Sequence, residues 1–506
     1  MKRKVFLGID IGTSQSKGVL ADGQGRILAR AAVDHETAQA GPGLYEHDAE
    51  GVWVRDAKTL IARLKEEAGV GTEEIAAAAL SAIGPCVLPV DAEGRPLRSA
   101  ILYGIDTRAT EEIRELNEAW GEEEILRRCG NALSTQAAGP NIAWIRRHEP
   151  EIYEKTAVFM TSTTYLVHRL TGRAVIDHYT ACAGYTPLYN FEKQTWDTEM
   201  CRALGCEGRL PELSWTAEAA GTVTAEAEAE FGLPAGIPVA AGTCDAAAEA
   251  VSVGVMDPGD TMLMLGSTAF MICVTQADAI EPRLWCAPWL FPGTHCLLGG
   301  MGSAGSLTKW FLREVSRETA AEAERTGENP YAVLARKAEK IPAGSGGLTV
   351  LPYFAGERTP LNDPQAKGVI FGLTHGHTQE HLYRAFLESV AYGIRDNLSV
   401  MEEAGAAPQT LTAAGGGTLN TAWMRMICDV NEKDVRICEV TMGAAYGDAF
   451  LAAMCAGEAE GPQTVRLWNP EKTRLLPEET DRAVYEKGFA AYRALYRALA
   501  DRMHES

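Results

Sequence analysis

An acidic residue near the amino terminus sits inside an apolar run that ends at once in a turn of small residues. Val5-Phe-Leu-Gly-Ile-Asp-Ile is typical of a buried β-strand, and Gly12-Thr-Ser closes it. Asp10 within that strand is costly to bury unless something pairs with it. The pattern predicts either a carboxylate placed near a metal, with the N–H groups and hydroxyls of the turn facing phosphate oxygens, or an ordinary hairpin.

The same organisation returns in the second half of the chain. Thr261-Met-Leu-Met-Leu is again an apolar strand, and it runs into Gly266-Ser-Thr. A turn-rich segment, Gly254 to Asp260, precedes it. Strand and helix patterns alternate along the 506 residues, which at roughly 100–200 residues per domain indicates two to four domains of mixed α/β structure. We predict two related halves, residues 1–253 and 254–506.

Two later segments also join an apolar strand to small residues. Asp245 stands between the strand Ile237 to Ala241 and an alanine-rich helix, where a carboxylate points out of the end of a sheet, although a helix N-cap fits equally well. Three glycines from Gly415 let the backbone approach an adenine or a phosphate tail, and Asn420 caps the next helix; the alternative is a plain strand-to-helix turn.

Other patterns argue against competing sites. Gly300-Met-Gly-Ser-Ala-Gly fits G-x-G-x-x-G, but the second strand with an acidic end that a dinucleotide fold needs is replaced by a helical pattern around Glu318 to Glu324. A Walker-type phosphate loop is absent from the sequence. His375, His377 and His381 lack a spaced cysteine or carboxylate to complete a metal site, so capping and packing are the expected roles.

Charge and cysteine usage exclude further classes. With 47 Lys+Arg against 68 Asp+Glu the net charge is −21, which disfavours nucleic-acid binding. The uncharged apolar stretch from Thr261 to Thr275 falls short of the roughly 20 apolar residues of a membrane span, and the early acidic residue is unlike a signal peptide. Twelve cysteines without a C-x-x-C pair indicate reduced thiols, so we expect a cytoplasmic protein that binds no membrane.

Taken in chain order, these segments resemble the FGGY family of carbohydrate kinases within the actin-like ATPase superfamily. The resemblance covers nearly the whole chain. The segments that carry it are Gly8-Ile-Asp-Ile-Gly-Thr-Ser, Tyr103-Gly-Ile-Asp-Thr-Arg, Gly139-Pro-Asn-Ile-Ala-Trp, Ala241-Gly-Thr-Cys-Asp, Leu265-Gly-Ser, Gly368-Val-Ile-Phe-Gly-Leu-Thr with His381-Leu-Tyr-Arg-Ala-Phe-Leu-Glu, Gly415-Gly-Gly-Thr-Leu-Asn, and Gly443-Ala-Ala-Tyr-Gly-Asp-Ala.

The resemblance implies an α/β fold of two actin-like, ribonuclease H-like domains with a deep interdomain cleft. Residues 1–253 would bind mainly sugar and residues 254–506 mainly ATP, with Mg²⁺ as the second cofactor. It makes Asp245 the catalytic base and sugar contact, and places Asp10 at the metal. The residues implied for the nucleotide are Gly12, Thr13, Ser14, Gly266, Ser267, Gly305, Lys309, Gly416 and Asn420. Those implied for the sugar are Gly84, Pro85, Asp106, Arg108 and Asp245.

The sequence departs from the family pattern in the sugar half. Where xylulose kinases typically read S-G-Q-M-H-G, this chain has Ser81-Ala-Ile-Gly-Pro-Cys, so Gly84 and Pro85 replace the Met-His pair that meets the ketose. The usual W-x-D-x-R reads Tyr103-Gly-Ile-Asp-Thr-Arg, and Asn141 stands in place of a lysine. Substrate identity is therefore open.

The function that the resemblance implies is ATP-dependent phosphorylation of a small sugar, with a pentulose such as D-xylulose first and ribulose, gluconate or glycerol-like acceptors as alternatives. Phosphoryl transfer suits these residue types, because alignment and charge neutralisation do most of the work and one carboxylate suffices as base. A rival class is an actin- or Hsp70-like nucleotide-switched binding protein. A third reading is a regulator that binds sugar without phosphorylating it. Since similar kinases are commonly dimers, a homodimer is expected.

Overall fold

The computed structural model describes residues 4–505 and contains both strands and helices throughout. Within those residues the strands are β1 Val5–Ile11, β2 Gln15–Asp22, β3 Ile27–Asp34, β4 Ala38–Gly41, β5 Leu44–His47, β6 Ile75–Ala82, β7 Leu88–Val90, β8 Ala100–Ile101, β9 Val158–Met160, β10 Val175–Asp177, β11 Tyr189–Asn190, β12 Thr195–Trp196, β13 Glu212–Ser214, β14 Ala219–Thr222, β15 Pro238–Ala240, β16 Thr243–Cys244, β17 Asp260–Leu265, β18 Ala269–Thr275, β19 Trp285–Pro288, β20 His295–Met301, β21 Thr349–Leu351, β22 Val369–Phe371, β23 Thr410–Ala414, β24 Asp434–Cys438 and β25 Glu471–Leu475.

The α-helices of the same residues follow in chain order. They are α1 Arg55–Ala68, α2 Thr110–Trp120, α3 Glu122–Cys129, α4 Ala138–His148, α5 Pro150–Lys155, α6 Ser162–Thr171, α7 His178–Gly184, α8 Thr198–Ala203, α9 Ala225–Phe231, α10 Asp245–Ser252, α11 Gly305–Glu314, α12 Arg317–Thr326, α13 Pro330–Ala338, α14 Gln379–Glu403, α15 Thr421–Asn431, α16 Ala444–Cys455, α17 Val465–Trp468 and α18 Arg482–His504. Helix α12 confirms the helical pattern that argued against a dinucleotide fold.

The chain divides into two compact units. Unit 1 consists of the chain up to Met256 together with Gln276–Cys296 and Met442–Pro470, and unit 2 consists of Asp257–Thr275, Leu297–Thr441 and the chain from Glu471 on. The first crossing lies close to the predicted boundary at residue 253. The later segment 442–470 belongs with unit 1 because α16 packs on β1 and α10.

Unit 1 is built on a mixed sheet whose central strand carries the early acidic residue. The strand order is β14-β15-β6-β1-β2-β3, and β16 also pairs with β6. Strand β1 runs antiparallel to β2 and parallel to β6, so the predicted hairpin and the predicted metal-bearing strand are one structure. All seven residues of β1 are buried. Its side chains Val5, Leu7, Ile9 and Ile11 join a core to which α1 contributes Leu60, Ile61 and Leu64.

Unit 2 repeats this plan. Its neighbouring strands follow the order β20-β18-β17-β23-β24-β25, in which β17 is antiparallel to β18 and parallel to β23. Strand β23 is parallel to β24, and β25 closes the series antiparallel to β24. In unit 1, β1, β2, β6, β15 and β14 take the places of β17, β18, β23, β24 and β25. Two related halves are therefore present in the topology as well as in the sequence.

Neither membrane-spanning helices nor disulfide bonds are found among the described residues. Among the described residues, no helix combines the length with the apolar composition that a membrane crossing requires. All twelve cysteines are free thiols, and ten of them are buried.

Candidate active site

The ends of three strands of unit 1 gather polar side chains. Asp10 in β1 pairs in register with Ser81 in β6, and Ser81 pairs on its other edge with Thr243 of β16. Asp245 follows β16 as the first residue of α10, and its Oδ1 accepts the N–H of Ala246 over 2.8 Å. The N-cap of α10 is Cys244 rather than Asp245. The carboxylate of Asp245 thus stands at the end of parallel strands, where ligands bind in open α/β sheets.

Burial and mutual repulsion perturb these carboxyl groups. Burial raises the pKa of Asp245 to about 6, against the opposing N–H of Ala246. Burial and the neighbouring Asp245 raise the pKa of Glu249 to about 7. The pKa of Asp10 is raised well above its usual range by burial and by Asp245, while Lys17 opposes the shift. Buried carboxyl groups with raised pKa values that lie close together identify a candidate functional site.

A fourth carboxyl group in this cluster escaped the sequence analysis. Asp448 of α16 is fully buried, and its Oδ2 accepts the hydroxyl of Ser81 over 2.6 Å. Burial raises its pKa well above the usual range, and Asp10 adds to the shift. The available signal was a single acidic residue in an otherwise apolar, alanine-rich helix. Glu249 was also missed, although it lies one helical turn beyond Asp245 and so shares its helix face.

The predicted phosphate turn lies between β1 and β2. The N–H of Gly12 donates to the carbonyl oxygen of Gln15 over 3.1 Å, which closes the turn. Thr13 and Ser14 are exposed at its tip. They follow Asp10 by three and four residues, so the turn begins at the end of the strand that carries this acidic residue.

Of the two residues that replace the Met-His pair, Gly84 lies beside the residue before the predicted base. A Cβ built on Gly84 would stand 2.9 Å from Cβ of Cys244, which precedes Asp245. Pro85 packs on α7, where a Cβ on Gly184 would stand 2.2 Å from its Cγ. The departure from the family pattern therefore begins next to Cys244 and continues against α7.

Asp106 and Arg108 form an ion pair with each other. Oδ1 of Asp106 accepts from N and Nε of Arg108 at 3.0 and 2.9 Å, and Oδ2 accepts from its Nη2 at 2.8 Å. The N–H of Tyr45 also donates to Oδ2 over 2.7 Å. Glu46 takes a further contact from Arg108 at 2.8 Å. Both predicted sugar contacts are thus buried within an ion-pair cluster, and their role in binding sugar stays a prediction.

A cavity of about 520 Å³ lies within unit 2. All six of the residues that the resemblance implies for the nucleotide in that half line it, namely Gly266, Ser267, Gly305, Lys309, Gly416 and Asn420. The loop between β17 and β18 is tied to the start of α11, since the N–H of Gly305 donates to the carbonyl oxygen of Gly266 over 3.0 Å. A Cβ on Gly305 would stand 2.4 Å from that oxygen, so glycine is required there. Sequence reasoning missed the opposite wall, which includes Asn329, Tyr331 and Arg336 of the α13 segment.

Capping roles predicted for Asn420 and for two of the three histidines are confirmed. Oδ1 of Asn420 accepts the N–H of Trp423 over 3.1 Å and caps α15. His377 and His381 receive backbone N–H groups on Nδ1 at 2.9 and 3.3 Å near the start of α14. Within residues 4–505, no group of three or more His, Cys, Asp or Glu side chains is arranged to hold a metal ion.

Comparison with known families decides the class of protein. Models of the N-terminal and C-terminal domains of the FGGY family of carbohydrate kinases match residues 5–252 and 261–456. The chain belongs to the FGGY family of carbohydrate kinases. The resemblance read from the sequence motifs is confirmed, and this FGGY kinase is an enzyme of the carbohydrate kinase class.

Relatives of this FGGY kinase match along nearly its whole length. It is 29% identical over 502 residues to the xylulose kinase of Escherichia coli (strain K12), covering 98% of this chain and 99% of the relative. The glycerol kinase of Nocardia farcinica (strain IFM 10152) is 29% identical over 503 residues, covering 96% and 97%. The crystal structure of xylulose kinase from Rhodospirillum rubrum has a TM-score of 0.91 at 31% identity, covering 99% of this chain and 100% of that one. These matches confirm the predicted α/β fold of two actin-like domains.

Proposed function

We propose that this FGGY kinase transfers the terminal phosphate of ATP to a hydroxyl of a small sugar, with D-xylulose as the first candidate. The observation that carries the proposal is the cavity of unit 2, because it gathers every residue that the resemblance implies for the nucleotide in that half. Similarity to xylulose kinases supports the pentulose. Ribulose, gluconate and glycerol-like acceptors are the alternatives, and the glycerol kinase relative supports keeping polyols among them. We also propose a cytoplasmic homodimer, for which the free thiols support the compartment.

Asp245 is the proposed general base. A carboxyl group with a pKa of about 6 is ionised near neutral pH and is still more basic than an ordinary aspartate. Its half-buried position lets a hydroxyl reach it while little water competes. Asp245 would accept the proton of the acceptor hydroxyl late in the transfer, when the bond to phosphorus has begun to form.

The acidic cluster fits a magnesium ion. Oδ1 of Asp10 and Oδ1 of Asp448 are buried without a hydrogen-bond partner among the described residues, which is the condition that a cation relieves. Mg²⁺ is commonly held by one or two carboxylates together with phosphate oxygens and water, so fewer than three acidic ligands are enough. Asp10 is the proposed ligand. When bound, the ion would neutralise charge on the phosphate oxygens.

The chain's own residues supply positioning. The cavity of unit 2 would hold the nucleoside, with Gly416 leaving open space beside it because nothing lies within 4 Å of the position of its absent Cβ. Gly266, Ser267 and Gly305 would line the path of the phosphates. The Lys309 ammonium would add a positive charge one turn further along α11. In unit 1 the exposed N–H and hydroxyl groups of Thr13 and Ser14 would meet phosphate oxygens.

The experiment that tests the proposal measures ATP consumption by the purified chain with a panel of ketoses, aldonates and polyols. We expect one pentulose to give the highest kcat/KM, and phosphorus NMR of the product to show a sugar monophosphate. A preference for gluconate or glycerol would indicate that the altered Gly84–Pro85 segment selects an acceptor other than a pentulose. Sugar-independent ATP hydrolysis across the whole panel would contradict the proposed transfer.

The pH dependence of kcat/KM should reflect the ionisation of Asp245, the proposed base. Because Asp245 must be ionised to accept a proton and burial places its pKa at about 6, we expect kcat/KM to fall as the pH drops below about 6, approaching tenfold per pH unit. Initial rates between pH 5 and 8 check this, with circular dichroism confirming that the enzyme stays folded. A flat profile down to pH 5 would remove Asp245 as the base.

Lys309 gives a prediction for the nucleotide. It lines the cavity from an exposed position on α11, so Lys309→Met is expected to raise the KM for ATP several-fold, up to about tenfold, through loss of one point charge near the phosphates. Lys340→Met is the matched control, because Lys340 is equally exposed but lies outside the cavity lining. An unchanged KM for ATP in the Lys309 variant would take that ammonium out of the nucleotide site.

A further inference from the structure

Three consecutive carbonyl groups of the turn after β1 accept hydrogen bonds from the segment just after β3. Nε2 of His35 lies 3.1 Å from the carbonyl oxygen of Gly12, and Oγ1 of Thr37 donates to that of Thr13 over 2.8 Å. The backbone N–H of His35 donates to the carbonyl oxygen of Ser14 over 3.0 Å. One short segment therefore fixes the orientation of the whole turn.

The orientation of those carbonyl groups decides where the N–H groups point. In a planar trans peptide the C=O of one residue and the N–H of the next point in opposite directions. Holding the carbonyl groups of Gly12 and Thr13 against His35 and Thr37 therefore directs the N–H groups of Thr13 and Ser14 to the opposite side. Both residues are exposed, so their N–H groups are accessible to a ligand on that side of the turn.

The His35 ring lies between the turn and helix α1. Its Nδ1 lies 2.8 Å from Oδ2 of Asp56, while its Nε2 faces the Gly12 carbonyl. Arg55 donates two bonds to Oδ1 of Asp56, at 2.9 and 2.7 Å, and the Ser16 hydroxyl donates to Oδ2 over 2.8 Å. The side chains of His35 and Asp56 are 1% and 0% exposed, so the ring is held in place by buried contacts on both of its nitrogens.

A second histidine, His47, is neutral and supports Thr37, the residue that bonds the Thr13 carbonyl. Nε1 of Trp53 donates to Nδ1 of His47 over 3.1 Å, so the ring proton of His47 lies on Nε2 and is donated to Oγ1 of Thr37 over 3.1 Å. Burial and the adjacent His35 lower the pKa of His47 to about 4, and the two ring centroids are 5.3 Å apart. The hydroxyl proton of Thr37 is thereby left for the Thr13 carbonyl.

We propose that His35 is a positioning residue for nucleotide phosphate: its ring, held between Asp56 and the Gly12 carbonyl, fixes the turn so that the N–H groups of Thr13 and Ser14 face the phosphate oxygens. The inference rests on the proposed function in taking a nucleoside triphosphate as the ligand of this turn. Asp56 keeps the ring in its position.

The test compares the affinities of a non-hydrolysable ATP analogue and of AMP by calorimetry in His35→Ala and Thr37→Val. We expect the preference for the triphosphate over the monophosphate to fall about tenfold in His35→Ala and less in Thr37→Val, with AMP affinity unchanged, because the nucleoside cavity is built from unit 2 alone. The KM for ATP should rise in parallel. His168→Gln is the control, since it removes another partly buried histidine of unit 1 that has no hydrogen bond to the turn.

The outcomes separate positioning from simple structural support. A lowered melting temperature with an unchanged triphosphate-to-monophosphate preference in both variants would overturn the proposal. If His35→Ala does not fold, Thr37→Val decides by the same measurement, because it replaces one side chain by another of the same shape. If the wild-type chain phosphorylates no sugar, the proposed function is wrong. The preference for the triphosphate analogue over AMP would still be measurable and would still test His35.

Discussion

Asp245→Asn is expected to lower the turnover of the preferred sugar by at least about a hundredfold, because a positioned general base contributes about 10²–10⁴ in rate. Asparagine keeps the size of the side chain and its bond with the Ala246 N–H, but it cannot take a proton. The cavity of unit 2 contains no atom of Asp245, so affinity for the nucleotide should stay at the wild-type value. Steady-state kinetics and calorimetry with an ATP analogue measure the two quantities separately.

Glu249→Gln is the matched control for that substitution. Glu249 lies one turn further along α10 and belongs to the same group of mutually repelling carboxyl groups. Both variants remove one acidic group from the cluster, and both should relieve the repulsion that raises the pKa of Asp10. A far smaller loss in Glu249→Gln would show that the effect belongs to the base. Equal losses would assign it to cluster electrostatics, and undiminished turnover in Asp245→Asn would remove Asp245 from the mechanism.

The strand-and-turn features could be predicted because they depend on local sequence. An apolar run such as Val5–Ile11 favours a buried strand, and the one acidic residue within it already indicates a site. The cap at Asn420 and the turn at Gly415 are equally local, since both are decided within a few residues. The repeated topology followed from the same reasoning applied twice.

The rest of the site depends on contacts that no local pattern contains. Asp448 meets Ser81 across 367 positions of sequence, and the His35–Asp56 pair joins the end of a hairpin to a helix. Such pairs arise only when the sheet and its covering helices are packed. The ion pair of Asp106 and Arg108 joins residues only two positions apart, and the sugar-binding role that the resemblance implies for them stays a prediction.

Gly447→Ala is expected to give the largest loss of stability of the substitutions considered, because α10 and α16 meet there backbone to backbone. A Cβ on Gly447 would stand 1.9 Å from the carbonyl oxygen of Ala248 and 3.1 Å from the nitrogen of Ser252. Overpacking costs about 1–3 kcal/mol and at times more, while the helix propensity of alanine returns about 1 kcal/mol. Since backbone cannot move aside as a side chain does, we expect a net loss of about 2 kcal/mol.

Thermal unfolding measures this loss, with Gly23→Ala as the control. A Cβ on Gly23 would meet only Cε2 of Phe6, at 4.0 Å, so that variant should match the wild type. The melting temperature changes by about 2–4 °C per kcal/mol for a domain of this size, so that of Gly447→Ala should be about 4–8 °C lower than that of the wild type. An unchanged midpoint would mean that the two helices are not in backbone contact.

The same contact ties stability to chemistry. On its other side α16 is pressed against β1, where a Cβ on Gly8 would stand 2.0 Å from the carbonyl oxygen of Ala445. A helix displaced at Gly447 moves Asp448 away from Ser81 and disturbs α10, which begins with Asp245. Gly447→Ala should therefore lose turnover even at temperatures where it remains folded, because the carboxyl groups depend on these two helices for their positions.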